Sequence, residues 1–171
     1  MERYDYTLWD CLKDEKNFVI SALERVRFFA SIVEVVRYIQ SKGLCHRDIK
    51  PSNFLVRTKK VASSNTKYEL VENEWKLSDF GLSCNISNLS GTGGTPCFGP
   101  MEQFDGNSHR KSDNYSLAKM AILILFPWQL GWNLLAAPLS PSEYSKYSSN
   151  SYLFIFRELA HVSISEKICK R

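Results

Sequence analysis

Apolar residues recur at helical spacing most clearly in one stretch. Phe28, Phe29, Ile32, Val33, Val35, Val36 and Ile39 make a wide apolar face. Just upstream, Ser21-Ala22-Leu23-Glu24 has the form of a capping box: the Ser hydroxyl accepts from the N3 amide, and the Glu reaches back to the cap amide. Ser41-Lys42-Gly43 supplies the stop, because Gly suits the left-handed position after a helix. The pattern predicts a helix over 22–42. A second run, Tyr115, Leu117, Met120, Ala121, Leu123, Ile124 and Leu125, is apolar nearly all round and predicts a central helix. Ser112-Asp113 can cap it, and Pro127 ends it. Leu8-Trp9-Asp10-Cys11-Leu12 reads as a short helix, and Leu44-Cys45-His46, Phe54-Leu55-Val56 and Trp75-Lys76-Leu77 read as short strands. The polar insert 57–74 has no apolar period and predicts a loop or an extended hairpin. Residues 83–94 have the small, polar composition of a mobile loop. After Pro138, 140–151 reads as a loop and 152–161 as a final short helix, and no internal repeat occurs.

Composition narrows the class. The chain has 171 residues, 44% apolar and 23% charged, which suits one globular domain or part of one. The net charge of +4 is spread over single Lys and Arg residues, so a solvated surface fits better than nucleic-acid binding. Five cysteines, none close to another in sequence, suggest neither a disulfide framework nor a zinc site. Reduced thiols and an intracellular location, cytoplasmic or nuclear, are the expectation. The N-terminus carries no apolar signal region. The uncharged stretch 120–139 has about the length of a membrane span. Its Pro127, Gly131 and Pro138 favour a buried helix over a membrane segment.

The chemistry is concentrated in His46-Arg47-Asp48-Ile49-Lys50-Pro51-Ser52-Asn53, followed downstream by Asp79-Phe80-Gly81. Asp48, Lys50 and Asn53 put a base, a cation and an oxygen ligand on one short loop, and Asp79 adds a carboxylate. Phosphoryl transfer needs this set: a carboxylate for the hydroxyl proton, a cation for the moving phosphate, and oxygen ligands for Mg²⁺. The ordered motifs resemble the eukaryotic protein kinases, and Lys50, two residues after Asp48, resembles the serine/threonine branch. Gly94-Thr95-Pro96-Cys97-Phe98-Gly99-Pro100-Met101-Glu102 resembles the end of a kinase activation segment, with Pro-Met-Glu where the family has Ala-Pro-Glu. Asp113-Asn114-Tyr115-Ser116-Leu117-Ala118 resembles the family's Asp-x-Trp-Ser-Leu-Gly.

The resemblance implies roles. Asp48 is the base, Lys50 neutralises the transferring phosphate and also contacts the nucleotide, and Asn53 and Asp79 hold Mg²⁺. Thr95 bonds near Asp48 and Lys50 and shapes the substrate groove, and Leu55 lies beneath adenine. Arg47 pairs with a phosphorylated activation-loop residue, Glu102 with a distant Arg, and His46 and Phe80 join an apolar stack. Asp113 accepts catalytic-loop amides while also capping its helix. The implied cofactors are ATP and Mg²⁺, and the implied partner is a protein carrying Ser or Thr.

The implied fold is α+β and mainly helical: the large C-terminal lobe of a kinase, with short β-hairpins carrying the catalytic and metal-binding loops. The first eight residues look like the hinge between lobes and the helix after it. No Gly-x-Gly-x-x-Gly and no Val-Ala-x-Lys occurs in the sequence. The expectation is therefore a partial kinase domain over 1–171, lacking the small N-terminal lobe and short at its C-terminal end, and inactive or very weak by itself. A separate or upstream small lobe is an expected partner. The alternative is a non-catalytic half-kinase that serves as a protein-binding module.

Overall fold

The computed structural model describes residues 3–64 and 66–136, so the loop expected over 140–151 and the helix expected over 152–161 lie outside the described residues. The chain opens with strand β1 (Tyr6–Thr7) and helix α1 (Leu8–Lys13). Thr7 and Asp10 form a capping box there, with Asp10 Oδ2 accepting from the Thr7 amide at 2.9 Å. Helix α2 (Ala22–Ser41) starts on the expected capping box. Glu24 Oε2 accepts from the Ser21 amide at 2.7 Å, and Ser21 Oγ accepts from the Glu24 amide at 3.3 Å. The chain leaves α2 through Gly43 at φ +76°, the left-handed turn that Gly permits.

Strand β2 (Leu44–Cys45) leads into the catalytic loop, which feeds strand β3 (Phe54–Lys60). Strand β4 (Tyr68–Leu77) returns antiparallel to it, so the polar insert is an extended hairpin. Its inner register runs from Phe54↔Leu77 to Val56↔Trp75, and its outer register resumes at Thr58↔Leu70 after an irregularity. Strand β1 pairs with the other edge of β3, giving the order β1-β3-β4. Strand β5 (Cys84–Asn85) pairs with β2, so the stretch read as a loop over 83–94 begins as a strand.

Two helices follow, α3 (Met101–Phe104) and α4 (Ser112–Leu125). Met120 and Leu123 of α4, Ile32 and Val36 of α2, Phe54 and Val56 of β3, and Leu8 and Leu12 of α1 are at most 1% exposed and share one apolar cluster. Burying each such side chain contributes about 1.5–3 kcal/mol. Pro127 ends α4 but also opens helix α5 (Trp128–Ala136), which the apolar pattern did not separate. Glu15 Oε1 accepts from the Trp128 amide at 3.0 Å and pairs with Arg25 at 2.9 Å. Arg25 in turn donates to the carbonyls of Ile124 and Phe126, both at 3.1 Å. One ion pair thus satisfies donors at the start of α5 and acceptors at the end of α4. Gly131 lets α5 approach α4, because a Cβ there would lie 2.8 Å from the Ile122 carbonyl oxygen. Among the described residues no helix is long and apolar enough to cross a membrane.

Candidate active site

The catalytic loop spans 46–53, between β2 and β3. Pro51 pre-sets the backbone of a 3₁₀ turn, Pro51–Asn53, and the Asn53 amide closes it on the Lys50 carbonyl at 3.0 Å. His46, Arg47, Asp48 and Asn53 are all at most 7% exposed, so each polar group needs a partner.

Asp48 has four partners from three residues. Thr95 Oγ1 donates to its Oδ1 at 2.6 Å, and Lys50 Nζ sits 2.7 Å from its Oδ2. Asn53 Nδ2 donates to Oδ2 at 3.2 Å and to the Asp48 carbonyl at 2.8 Å. Lys50 also donates to Thr95 Oγ1 at 2.8 Å, closing a ring of three side chains. Burial opposes ionisation of the Asp48 carboxyl, but the bonds from Lys50 and Thr95, the Lys50 charge and the Asn53 amide outweigh it. The net effect holds Asp48 below the usual carboxylate value, so it is an anion able to accept a hydroxyl proton.

The network also fixes the His46 tautomer. Its Nε2 donates to the Ser78 carbonyl at 3.0 Å, while its Nδ1 accepts from the Asp48 amide at 3.3 Å. One neutral form satisfies both bonds. Burial pushes the His46 pKa below its ordinary value, consistent with that form.

Arg47 stands at φ +69°, a left-handed conformation that costs a non-glycine residue about 1–3 kcal/mol and persists only when its surroundings over-determine it. Here they do. The Arg47 amide donates to Asp113 Oδ1 and the His46 amide to Asp113 Oδ2, both at 2.7 Å. The Arg47 carbonyl accepts from Gln103 Nε2 at 2.7 Å. Gln103 also donates to the Gly93 carbonyl at 2.6 Å, so it ties the catalytic loop to the activation segment. Nothing in the apolar or motif pattern singled out Gln103, which directly follows the matched Glu102. The Asp113 carboxylate is fully buried and reaches the amides that the resemblance implied. Its expected second role as helix cap is not seen: Lys111 holds the cap position, and Asp113 lies in the first turn. Ser112 does not cap the helix either. Its hydroxyl accepts from the His109 amide at 3.0 Å.

Asp79 directly follows Ser78, which bonds to the Asn53 backbone. The Ser78 amide and hydroxyl both donate to the Asn53 carbonyl, at 2.8 and 2.9 Å. Asp79 itself is exposed and left-handed at φ +61°. Gly81 leaves room for its carboxylate, since a Cβ there would lie 3.3 Å from Asp79 Oδ1. The His46 and Phe80 rings meet edge-on at 4.7 Å, with Phe80 46% exposed. Leu55 is half-buried on β3, paired with Thr7 and Lys76, between the buried Phe54 and Val56. The Arg47 guanidinium donates to the Ser90 carbonyl at 2.9 Å and to that of Gly91 at 2.5 Å, both in the activation segment. Glu102 is exposed in the first turn of α3.

Among the described residues no three His, Cys, Asp or Glu side chains converge as a metal cluster. The pair Asn53 and Asp79 still suits Mg²⁺, which takes few protein oxygens and completes its shell with phosphates and water. Because Asn53 spends its amide nitrogen on Asp48, its Oδ1 is the atom left for a cation.

Comparison with known proteins places the chain in a family. The family model for the protein kinase domain matches residues 1–131. The serine/threonine-protein kinase ksp1 of Schizosaccharomyces pombe is 37% identical over 105 residues, covering 57% of this chain and 20% of that protein. Eukaryotic translation initiation factor 2-alpha kinase 1 of Rattus norvegicus is 26% identical over 157 residues, covering 75% of this chain and 23% of that protein. The dual serine/threonine and tyrosine protein kinase of Tetraodon nigroviridis is 30% identical over 156 residues, covering 90% of this chain and 14% of that protein. The chain thus spans about a fifth of the length of the first two of these relatives. With a kinase-domain match over residues 1–131, the chain belongs to the protein kinase family.

Proposed function

We propose that this chain carries the large lobe of a serine/threonine protein kinase, which transfers the γ-phosphate of ATP to a Ser or Thr hydroxyl of a protein. The observation that carries the proposal is the ring of Asp48, Lys50 and Thr95, with Asn53 donating into it. A substrate hydroxyl donates to the Asp48 carboxylate, which takes its proton as the oxygen attacks phosphorus. Asp48 is already an anion and is oriented by three neighbours, so little reorganisation accompanies that step. Lys50 Nζ lies between Asp48 and Thr95, where it can turn its remaining hydrogen to the transferring phosphate. Asn53 Oδ1 and the Asp79 carboxylate would hold Mg²⁺, which when bound would neutralise charge on the nucleotide phosphates. Leu55 would lie beneath adenine, and Thr95 would border the groove for the acceptor residue.

The phosphate lid and the nucleotide-holding Lys of the family occur nowhere in the sequence. We therefore expect the 171-residue chain to transfer little phosphate by itself and to work with a small lobe, upstream or separate. We expect an intracellular setting, cytoplasmic or nuclear, from the cysteine pattern of the sequence.

The test is phosphate transfer from Mg-ATP to peptides that differ only in a Ser, Thr or Tyr acceptor. It is run with the chain alone, with the longest natural protein containing it, and with Asp48→Asn in that protein. The expected result is transfer to Ser and Thr by the longer protein and loss in the variant. Equal transfer to Tyr would overturn the acceptor specificity. No transfer by the longer protein, with retained protein binding, would leave a docking module instead.

A further inference from the structure

We propose that Cys45 and Cys84 are a peroxide-sensitive pair that closes into a disulfide across β2 and β5. The two residues lie directly opposite in the antiparallel register, so their side chains share one face of the ladder. The Ile86 amide donates to the Gly43 carbonyl at 2.8 Å, which makes Gly43 and Ile86 a hydrogen-bonded position; two residues on, Cys45 and Cys84 occupy another. The Cα atoms of such a pair stand about 5.5 Å apart, within the range a disulfide needs.

The two sulfurs have different surroundings. Cys84 is half-buried, so a small oxidant can reach it, and Arg47 Nη1 donates to its Sγ at 3.8 Å. A guanidinium beside a sulfur is typical of cysteines that react with peroxides. Cys45 is fully buried, and its thiol makes a weak contact with the His109 carbonyl at 4.0 Å and lies beside Asp113. Burial first, then the nearby Asp113 charge, pushes the Cys45 pKa up to about 12, so it stays a thiol and waits.

The chemistry balances with one hydroperoxide. The Cys84 sulfur attacks a peroxide oxygen. The O–O bond breaks as an S–O bond forms, and the released hydroxide takes the thiol proton and leaves as water. Cys45 sulfur then attacks the Cys84 sulfenic acid. The S–O bond breaks, the Cys45 proton goes to the departing hydroxide, and a second water leaves. Two thiols are oxidised by two electrons and one peroxide is reduced. The bond would tie the segment after Asp79-Phe80-Gly81 to the strand that enters the Asp48 loop. It does not depend on the phosphoryl-transfer reading.

The experiment treats the full chain with hydrogen peroxide, alkylates free thiols under denaturing conditions, and maps peptides by mass spectrometry. The expected result is a peptide pair joined through Cys45 and Cys84, released by dithiothreitol, with a higher melting temperature for the oxidised chain than for the reduced one. In Cys45→Ala, Cys84 should stop at a sulfenic acid trapped by dimedone. In Cys84→Ser, Cys45 should remain an alkylatable thiol. Neither variant should show the peroxide-dependent rise in melting temperature. The proposal is overturned if Cys84 in the wild-type chain goes to sulfinic acid while Cys45 stays a thiol, if Cys84 joins a different cysteine, or if both remain alkylatable. Peptide mapping of the wild-type chain decides this even if a variant does not fold.

Discussion

Asn53 is 5% exposed and donates twice to Asp48, whereas Asp79, its partner in the candidate metal site, is exposed and left-handed. The first side is a sealed loop: His46 reaches Ser78, Arg47 reaches Asp113 and Gln103, and Asp48 reaches Lys50 and Thr95. The second side is positioned mainly by its backbone, through Ser78. The difference separates two jobs. A base needs its orientation fixed before substrate arrives, and buried side chains held by several hydrogen bonds provide that. A carboxylate that meets a cation and phosphates needs access, and burying it beforehand would cost desolvation free energy without a partner.

The hardest blow to the sealed side is removal of the proposed base. In an active kinase formed by this chain with the proposed small lobe, Asp48→Ala should lower kcat by about 10²–10⁴-fold, the usual contribution of a positioned general base. Steady-state transfer to a Ser peptide at saturating Mg-ATP measures it. An unchanged kcat would break the contrast at its centre.

Next comes the support beneath the loop. Asp113→Ala strands the buried amides of His46 and Arg47 and releases the left-handed Arg47. Each unsatisfied donor costs about 1–3 kcal/mol. Urea unfolding of the 171-residue chain should show a loss of that order, and hydrogen exchange should speed up at the amides of residues 46 and 47. A loss below about 0.5 kcal/mol, the usual size for a neutral surface change, would mean that water replaces the carboxylate and the loop is less sealed than its bonds imply.

Acid should open the same side more gently. The folded pKa of His46 lies below its ordinary value, so below about pH 6.5 the unfolded chain binds the extra proton first. The stability tied to neutral His46 is therefore complete above about pH 6.5 and falls as pH drops toward the folded value, by at most about 1.4 kcal/mol per pH unit. Protonation also turns the Nδ1 that accepts from Asp48 into a donor. The Asp48 pKa is depressed too, and its contribution is lost only on further acidification, below about pH 3.9. Urea midpoints measured at about pH 7 and about pH 5.5 should differ in the wild-type chain and converge in His46→Phe, because Phe has no proton to bind in this window.

Where short-range chemistry decides the structure, the sequence was readable. Ser21 and Glu24 cap α2 and Gly43 ends it, all within one turn of the ends they fix. The catalytic loop was legible for the same reason: its residue types and spacing are set by chemistry rather than by packing. The outer half of the β3–β4 hairpin was less so, and its sequence left a loop or an extended hairpin open. Its register breaks between Val56 and Thr58, and its cross-strand links include Lys59 with Glu69 at 3.1 Å and Arg57 with Glu74 at 2.9 Å, which leave no apolar alternation. Helix α5 was hidden because Pro127 serves two helices and because its cap, Glu15, lies more than 110 residues away, with a separation of 113. Gln103 was hidden likewise: its worth depends on two carbonyls, of Arg47 and Gly93, that only the fold brings together.

The smallest expected effect tests the open side. Asp79 is exposed, and no side-chain capping bond from it holds the following 3₁₀ turn, so its carboxylate has little structural duty in the metal-free chain. Ala would be a poor probe, since the φ of +61° would strain it and mix backbone cost with charge loss. Asn tolerates the left-handed region and keeps the shape while removing the charge that Mg²⁺ requires. Asp79→Asn should therefore change the urea unfolding free energy of the chain by less than about 0.5 kcal/mol, as for a surface position without a structural role. In an active kinase formed by this chain with the proposed small lobe, the same substitution should sharply weaken Mg²⁺-dependent transfer. A loss of stability as large as that of Asp113→Ala would show that Asp79 is part of the sealed network after all. Unaltered Mg²⁺ dependence would show that the cation is held elsewhere.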